Sequence, residues 1–372
     1  MKRFAFIDSL RGLAIALVIW HHSNQGITGL PSFLKTLSDQ GARGVQLFFF
    51  LSAFTLFLSV HNRQEEQNPT LNFFIRRFFR IAPLFYFGLV LYLAIDGLQV
   101  RPGEVYGVTL PSIIATLFFM HGLNPYWINN VVPGGWSVGV EMVFYCLIPY
   151  LFVKIKGLNQ AIWLTFITLL LSIIQSMGLS KVSAIADADI WRRFLFYWLP
   201  NQMPIFCLGI VFYFIFLKLQ ASNFLSLEFS KERQQLALVL LLLSCFFFVA
   251  LAYEGYVFIP KIFPYGLVFL TLTLALFLHP FEFIVNRFTC HLGKISYSAY
   301  IVHFALIAPS LALTKLVAGS LSPIFQLGLL FIILLLGTCL VATLTYQFIE
   351  LPGQNLGKIA IKKLSKEQPT SG

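Results

Sequence analysis

Eleven apolar stretches, each close to the length needed to cross a bilayer, dominate this chain of 372 residues. They fall near 10–28, 44–60, 79–97, 108–122, 135–153, 160–178, 195–217, 235–253, 260–278, 295–316 and 324–348. In hydrocarbon every backbone N–H and C=O must be satisfied internally, so runs of about twenty residues fold as helices. The chain therefore reads as all-α, a polytopic transmembrane bundle. Composition agrees: 58% of residues are hydrophobic and only 11% are charged, where a soluble domain carries about 25% charged residues. The net charge of +11 does not point to nucleic acid, because the bases sit in short loops and at the ends of apolar runs, where they orient helices. Cys146, Cys207, Cys245, Cys290 and Cys339 are scattered without paired spacing and read as small hydrophobes. No metal-ligand spacing occurs.

Charge also counts the crossings. Met1, Lys2 and Arg3 precede an apolar run as in a signal peptide, but Asp8 and Arg11 interrupt the run, so an uncleaved first span is expected. Lys2 and Arg3 at one end, and Lys358, Lys362, Lys363 and Lys366 at the other, place both termini in the cytoplasm. Two cytoplasmic ends require an even number of crossings. Walking inward through the basic loops from each end isolates 108–122, the shortest segment, which opens Thr109, Leu110, Pro111, Ser112. It is expected to be re-entrant or partial, buried in protein or lining a cavity. The expectation is ten spans, one partial segment and a polar central cavity. Residues 1–352 form one integral-membrane domain, and 353–372 form a basic cytoplasmic tail.

Ionisable residues at membrane depth mark functional sites. His22 follows Arg11 by eleven residues, about three helical turns, so the two share a face roughly 16 Å apart. His21 falls off that line. Arg76, Arg77 and Arg80 cluster at the inner mouth of the third span. Arg77 and Arg80 project together. Guanidinium forks suit phosphate, although such bases also serve as snorkelling topological anchors. Glu141 and Tyr145 are four residues apart on one helix face. A lone carboxylate there is a catalytic candidate, or a packing partner near a helix N-terminus. Ser296, Tyr300 and His303 form one stripe, either an acceptor-side constellation or interhelical hydrogen bonding. The run from Gly44 to Phe54 reads as helix packing, and Glu350 as a structural partner of the inner arginines. His61, His121, His279 and His291 read as loop or interfacial residues.

Together these motifs resemble the acyltransferase-3 family of bacterial membrane O-acyltransferases. "FIDSLRGLAIALVIWHH" is similar to its first helix, with Arg11 and His22 at the matching positions, and "GVQLFFFLSAF" to its second-helix motif. "RRFFRIAP" matches the arginine pair Arg77 and Arg80, and "WSVGVEMVFY" the glutamate motif at Glu141. "YSAYIVH" and "FIELP" resemble the late motifs. Ala53 stands where the family usually has glycine, and Met142 where a second acid is common. The resemblance implies transfer of an acyl group, usually acetyl, from cytoplasmic acyl-coenzyme A (acetyl-CoA) to a hydroxyl of a carbohydrate or glycolipid acceptor. It implies the bacterial inner membrane and no permanently bound cofactor. His22 would be the general base, Glu141 would orient it or the acceptor, Arg11 would line the donor path, and Arg76, Arg77 and Arg80 would hold donor phosphates. Tyr145, Tyr300 and His303 are second candidates. Many relatives carry an SGNH-type domain. None is expected here, so a separate periplasmic transferase is expected as a partner. The rival reading is a secondary transporter of a small polar solute, against which stands the lack of an internal repeat.

Overall fold

The computed structural model describes residues 4–100, 106–179, 187–226, 228, 230–253 and 260–367. Lys2 and Arg3, and the last five residues of the tail, lie outside these. The described residues form helices and no strand. In chain order they are α1 (Ala5–Asn24), α2 (Ser32–Asp39), α3 (Gly44–His61), α4 (Pro69–Asp96), α5 (Leu110–Leu117), α6 (Gly135–Lys154), α7 (Leu158–Gly178) and α8 (Ala188–Tyr197). They continue with α9 (Leu199–Gln220), α10 (Ser230–Tyr253), α11 (Ile262–Leu278), α12 (Arg287–Lys294), α13 (Ser296–Ala318), α14 (Pro323–Thr345) and α15 (Leu351–Glu367).

Eight helical stretches are long and apolar enough to cross a membrane. The charged α1 and the 17-residue α11 pack among them. The result is a multi-pass membrane bundle with the ten long elements that the apolar pattern predicts. The partial segment is α5. Its eight residues rise only about 12 Å, against about 30 Å of hydrocarbon. A reciprocal capping box between Thr109 and Ser112 starts it, which satisfies two of the backbone donors left free at a helix N-terminus.

The bundle is wrapped around α1, α3 and α9. Phe49, Phe144 and Phe206 are buried, with Phe206 stacked on both of the others at ring distances of 4.6 and 4.0 Å. The surface facing outward from α10 and α14 is aliphatic and aromatic, Leu242, Phe246 and Leu340 among it, as lipid contact requires. Close approach sets the position of α1. A Cβ on Gly293 would lie 1.7 Å from the Asp8 carbonyl oxygen, and one on Gly44 2.3 Å from that of Ala14, so α12 and α3 can touch the α1 backbone only through glycine. This is the packing role expected of the Gly44–Phe54 run.

The segment read from sequence as a basic tail differs. After α14 the chain makes a π-helical turn, Tyr346–Glu350, and continues as α15 to Glu367, packed along α4. Its small residues explain the docking: Gly353 and Gly357 sit where a Cβ would meet Pro83 and Phe79 within 3 Å.

Candidate active site

One end of the bundle, where α1 and α4 begin and α15 runs alongside, opens into a cavity of about 800 Å³. Seven cationic side chains line this vestibule against three acidic ones, Asp8, Glu66 and Glu350. Next to it lies a chamber of about 80 Å³. Arg11, Thr55, Arg77 and Arg80 line both and form the boundary between them.

Helices α1, α4 and α6 and the π-turn deliver those guanidiniums and their counter-charges. Arg11, one to two turns into α1, donates to the Thr55 hydroxyl of α3 at 3.1 Å. Arg77 and Arg80 project from α4 on one face, as their spacing predicts. Arg77 lies over the rings of Phe73 and Tyr145 at 5.7 and 5.9 Å, and its buried Nε has no hydrogen-bond partner. Arg76 turns toward the rim instead and pairs with Glu66 at 2.8 Å, which Arg63 also engages at 3.0 Å. Burial alone would raise the Glu66 carboxyl, but the hydrogen bond and charge of Arg76, with those of Arg63, hold it below its ordinary value.

Glu141 enters the chamber from α6. One of its oxygens accepts both from Ser52 and, at 2.6 Å, from Tyr145 one turn along its own helix. Glu350 accepts from Ser298 at 2.8 Å and from Gln354 at 3.1 Å. Arg80 and Arg11 are its electrostatic partners, matching the structural role expected of it. Three guanidiniums thus face two carboxylates in the throat, with the cationic excess spread along the vestibule.

Tyr300 and Ser137 mark the chamber's far side. The Tyr300 hydroxyl is within 2.9 Å of both the Ser137 hydroxyl and the Gly134 carbonyl. Behind Tyr300 come His303, ring centroid 5.8 Å away, and then His22, a further 5.3 Å on. His303 is fully buried. Its Nδ1 meets the carbonyls of Ala299 and Tyr300 at 3.1 and 2.9 Å, and its Nε2 has no partner. Because carbonyls only accept, Nδ1 carries the proton.

The same logic fixes His22. Its Nδ1 meets the amide oxygen of Gln25 at 3.1 Å, so in the neutral ring Nδ1 holds the hydrogen and Nε2 a lone pair. The Gln25 amide nitrogen in turn donates to His21 Nε2 at 3.1 Å, and His21 Nδ1 lies 3.9 Å from Asp39. Neither His22 nor His303 lines the two cavities described.

The structure therefore gathers Arg11, Arg77, Arg80, Glu141, Tyr145 and Tyr300 around one chamber, sets Arg76 at its rim, and pairs His22 with His303 one layer beyond. It does not pair Glu141 with His22, one of the two partners expected of that carboxylate. Ser52 and Tyr145 occupy the carboxylate, three guanidiniums draw it to their side, and Gln25 takes the imidazole.

Two residues carry weight that their sequence context did not signal. Gln25 orients His22. His121, read as a loop residue, is in a loop but buried: its Nε2 donates to the Gly135 carbonyl at 2.9 Å, its ring stacks on Phe85, and it pins the start of the glutamate helix. Gly139 is the trace it leaves in the sequence, since a Cβ there would sit 2.9 Å from His121 Nε2. Among the described residues no group of three metal-ligating side chains occurs, and the cysteines are free.

Comparison with known proteins bears on this arrangement. A sequence model described as an acyltransferase domain, Acyl_transf_3, matches residues 4–346. The chain is 24% identical over 379 aligned positions to the protein named "Putative peptidoglycan O-acetyltransferase YrhL" of Bacillus subtilis (strain 168). The match covers 94% of this chain and 55% of that protein, so the chain spans about half the length of this relative. No solved structure matches.

Proposed function

Because the chain belongs to the acyltransferase-3 family, we propose that it is a membrane O-acyltransferase moving an acyl group, acetyl in the first instance, from acyl-coenzyme A to a hydroxyl of a carbohydrate. The observation that supports this reading is a cationic vestibule of about 800 Å³ that shares Arg11, Thr55, Arg77 and Arg80 with an adjoining chamber of about 80 Å³. A polyphosphorylated donor suits the first, and its thin pantetheine arm suits the second. Arg77 and Arg80 hold phosphate at the throat, with Arg11 beside the arm. Glu141, fixed by Ser52 and Tyr145, keeps the guanidiniums from repelling one another.

The arginine end faces the cytoplasm of a bacterial cell in this reading, with both termini on that side of the inner membrane. His22 then lies toward the acceptor side. With the pantetheine arm carrying the thioester through the chamber to the layer of His22 and His303, the His22 Nε2 takes the proton of the acceptor hydroxyl as that oxygen bonds to the thioester carbonyl carbon. The carbon–sulfur bond breaks, its electrons leave on the coenzyme sulfur, and the imidazolium returns the proton to that sulfur. No permanently bound cofactor takes part. The relative's printed name suggests peptidoglycan as the first acceptor to try.

The test is acetyl transfer by the full chain in lipid nanodiscs, with labelled acetyl-CoA and muropeptide acceptors. The wild type is expected to form label-bearing ester, and His22→Ala to lose transfer by a factor of about 10²–10⁴, the contribution of a positioned general base. Full activity in His22→Ala removes that residue from its role. Absence of transfer from acetyl-CoA to muropeptides or to any other glycan tried overturns the reading.

A further inference from the structure

The C-terminal helix is more than a membrane anchor. Glu350, Gln354, Lys358, Ile361 and Ser365 recur at spacings of four, four, three and four, and all line the vestibule, so α15 forms one of its walls with a single helical face. The adjacent face is occupied by Gly353 and Gly357 against α4, the helix that carries Arg77 and Arg80. Docking through those glycines fixes the new wall relative to the arginines. Lys358 lies eight residues beyond Glu350, about 12 Å farther out along the helix. Glu350 marks the throat, since Arg80 is its leading electrostatic partner.

Lys358 is also the outermost cation on that face, since Ile361 and Ser365 follow it. Among the described residues, its ammonium bonds the neutral side chain of Asn355, at 3.0 Å, and no carboxylate. The other rim cations differ. Arg63 and Arg76 share Glu66, and Lys294 lies over the Tyr346 ring at 5.3 Å.

Resting on the donor reading above, we propose that α15 is part of the donor site and that Lys358 binds the 3′-phosphate of the coenzyme's nucleotide. The thioester and the 3′-phosphate stand at opposite ends of coenzyme A. When the pantetheine arm runs through the chamber toward His22, the 3′-phosphate is the anion left farthest out, at the level of Lys358. Throat arginines then hold the pyrophosphate, and α15 tells the intact coenzyme from its 3′-dephosphorylated form.

Equilibrium binding of coenzyme A and of 3′-dephospho-coenzyme A to the full chain in nanodiscs tests this. The wild type is expected to favour coenzyme A by about tenfold or more, the worth of one charge-assisted contact. Lys358→Ala is expected to bring the two ligands within about twofold by weakening coenzyme A alone. Lys358→Arg is expected to restore the preference, and Lys362→Ala, on an exposed part of the same helix, to leave it unchanged. Retained binding of the dephospho form shows that the variant is folded. A lysine that only anchors to lipid headgroups would weaken both ligands alike or neither, and either result overturns the proposal. So does a wild type that binds both equally. A wild type that binds neither ligand overturns the donor reading as well, which separates the two failures.

Discussion

At the scale of single residues, the site depends on which atom of each imidazole holds the hydrogen. Gln25 settles this for His22 by accepting from Nδ1, which leaves the Nε2 lone pair available for the proposed role of base. Gln25→Leu removes the acceptor while keeping much of the bulk. It is expected to lower kcat by about tenfold to a hundredfold, part of the ~10²–10⁴ that general-base catalysis contributes, with donor KM unchanged. Gln25→Glu, which still accepts, should keep more of the rate. Steady-state kinetics of both variants check it, and an unchanged kcat in Gln25→Leu would mean that other groups hold the ring. The pairings of Arg77 with Arg80 and of Glu141 with Tyr145 were legible because helical periodicity puts each pair on one face. Gln25 was not. Its place one turn after His21 made the pair geometrically available, but nothing in the sequence says which of several polar side chains an imidazole will choose once neighbouring helices close around it.

At the scale of elements, the long helices and the truncated α5 followed from apolar run length, which lipid enforces with few exceptions. The turn holding His121 did not, because its burial comes from the tertiary approach of α6. That burial has a measurable sign. It holds the His121 imidazole below its ordinary value, and the Gly135 carbonyl only partly opposes the shift. The unfolded chain therefore takes up a proton on this residue at higher pH than the folded chain does. Stability from this residue is present above the ordinary imidazole value of about 6.5 and is lost as pH falls below it. His121→Gln keeps a donor for the Gly135 carbonyl but cannot be protonated, so its Tm in detergent is expected to fall less steeply than that of the wild type between about pH 7.5 and 5.5. Parallel slopes would show that His121 titrates alike in both states.

For the whole molecule, charge is distributed unevenly: seven cations to three acids in the vestibule, and lipid-facing hydrocarbon around it. Such a mouth attracts anions from a distance. Raising salt from about 0.05 to 0.5 M shortens the Debye length severalfold, and the donor KM is expected to rise several-fold while kcat changes little. Initial-rate kinetics across salt concentrations measure it, and a salt-independent KM would mean that the cations are already neutralised.

The five-residue turn between α14 and α15 has a consequence for evolution of the chain. A π-turn holds one residue more than an α-turn, so deleting one residue between Tyr346 and Glu350 would restore a plain α-turn and leave everything after it facing nearly the same way. The same deletion between Leu351 and Lys358 would swing Lys358 by about 100° around the axis. This joint can therefore absorb a change of length that the helix after it cannot.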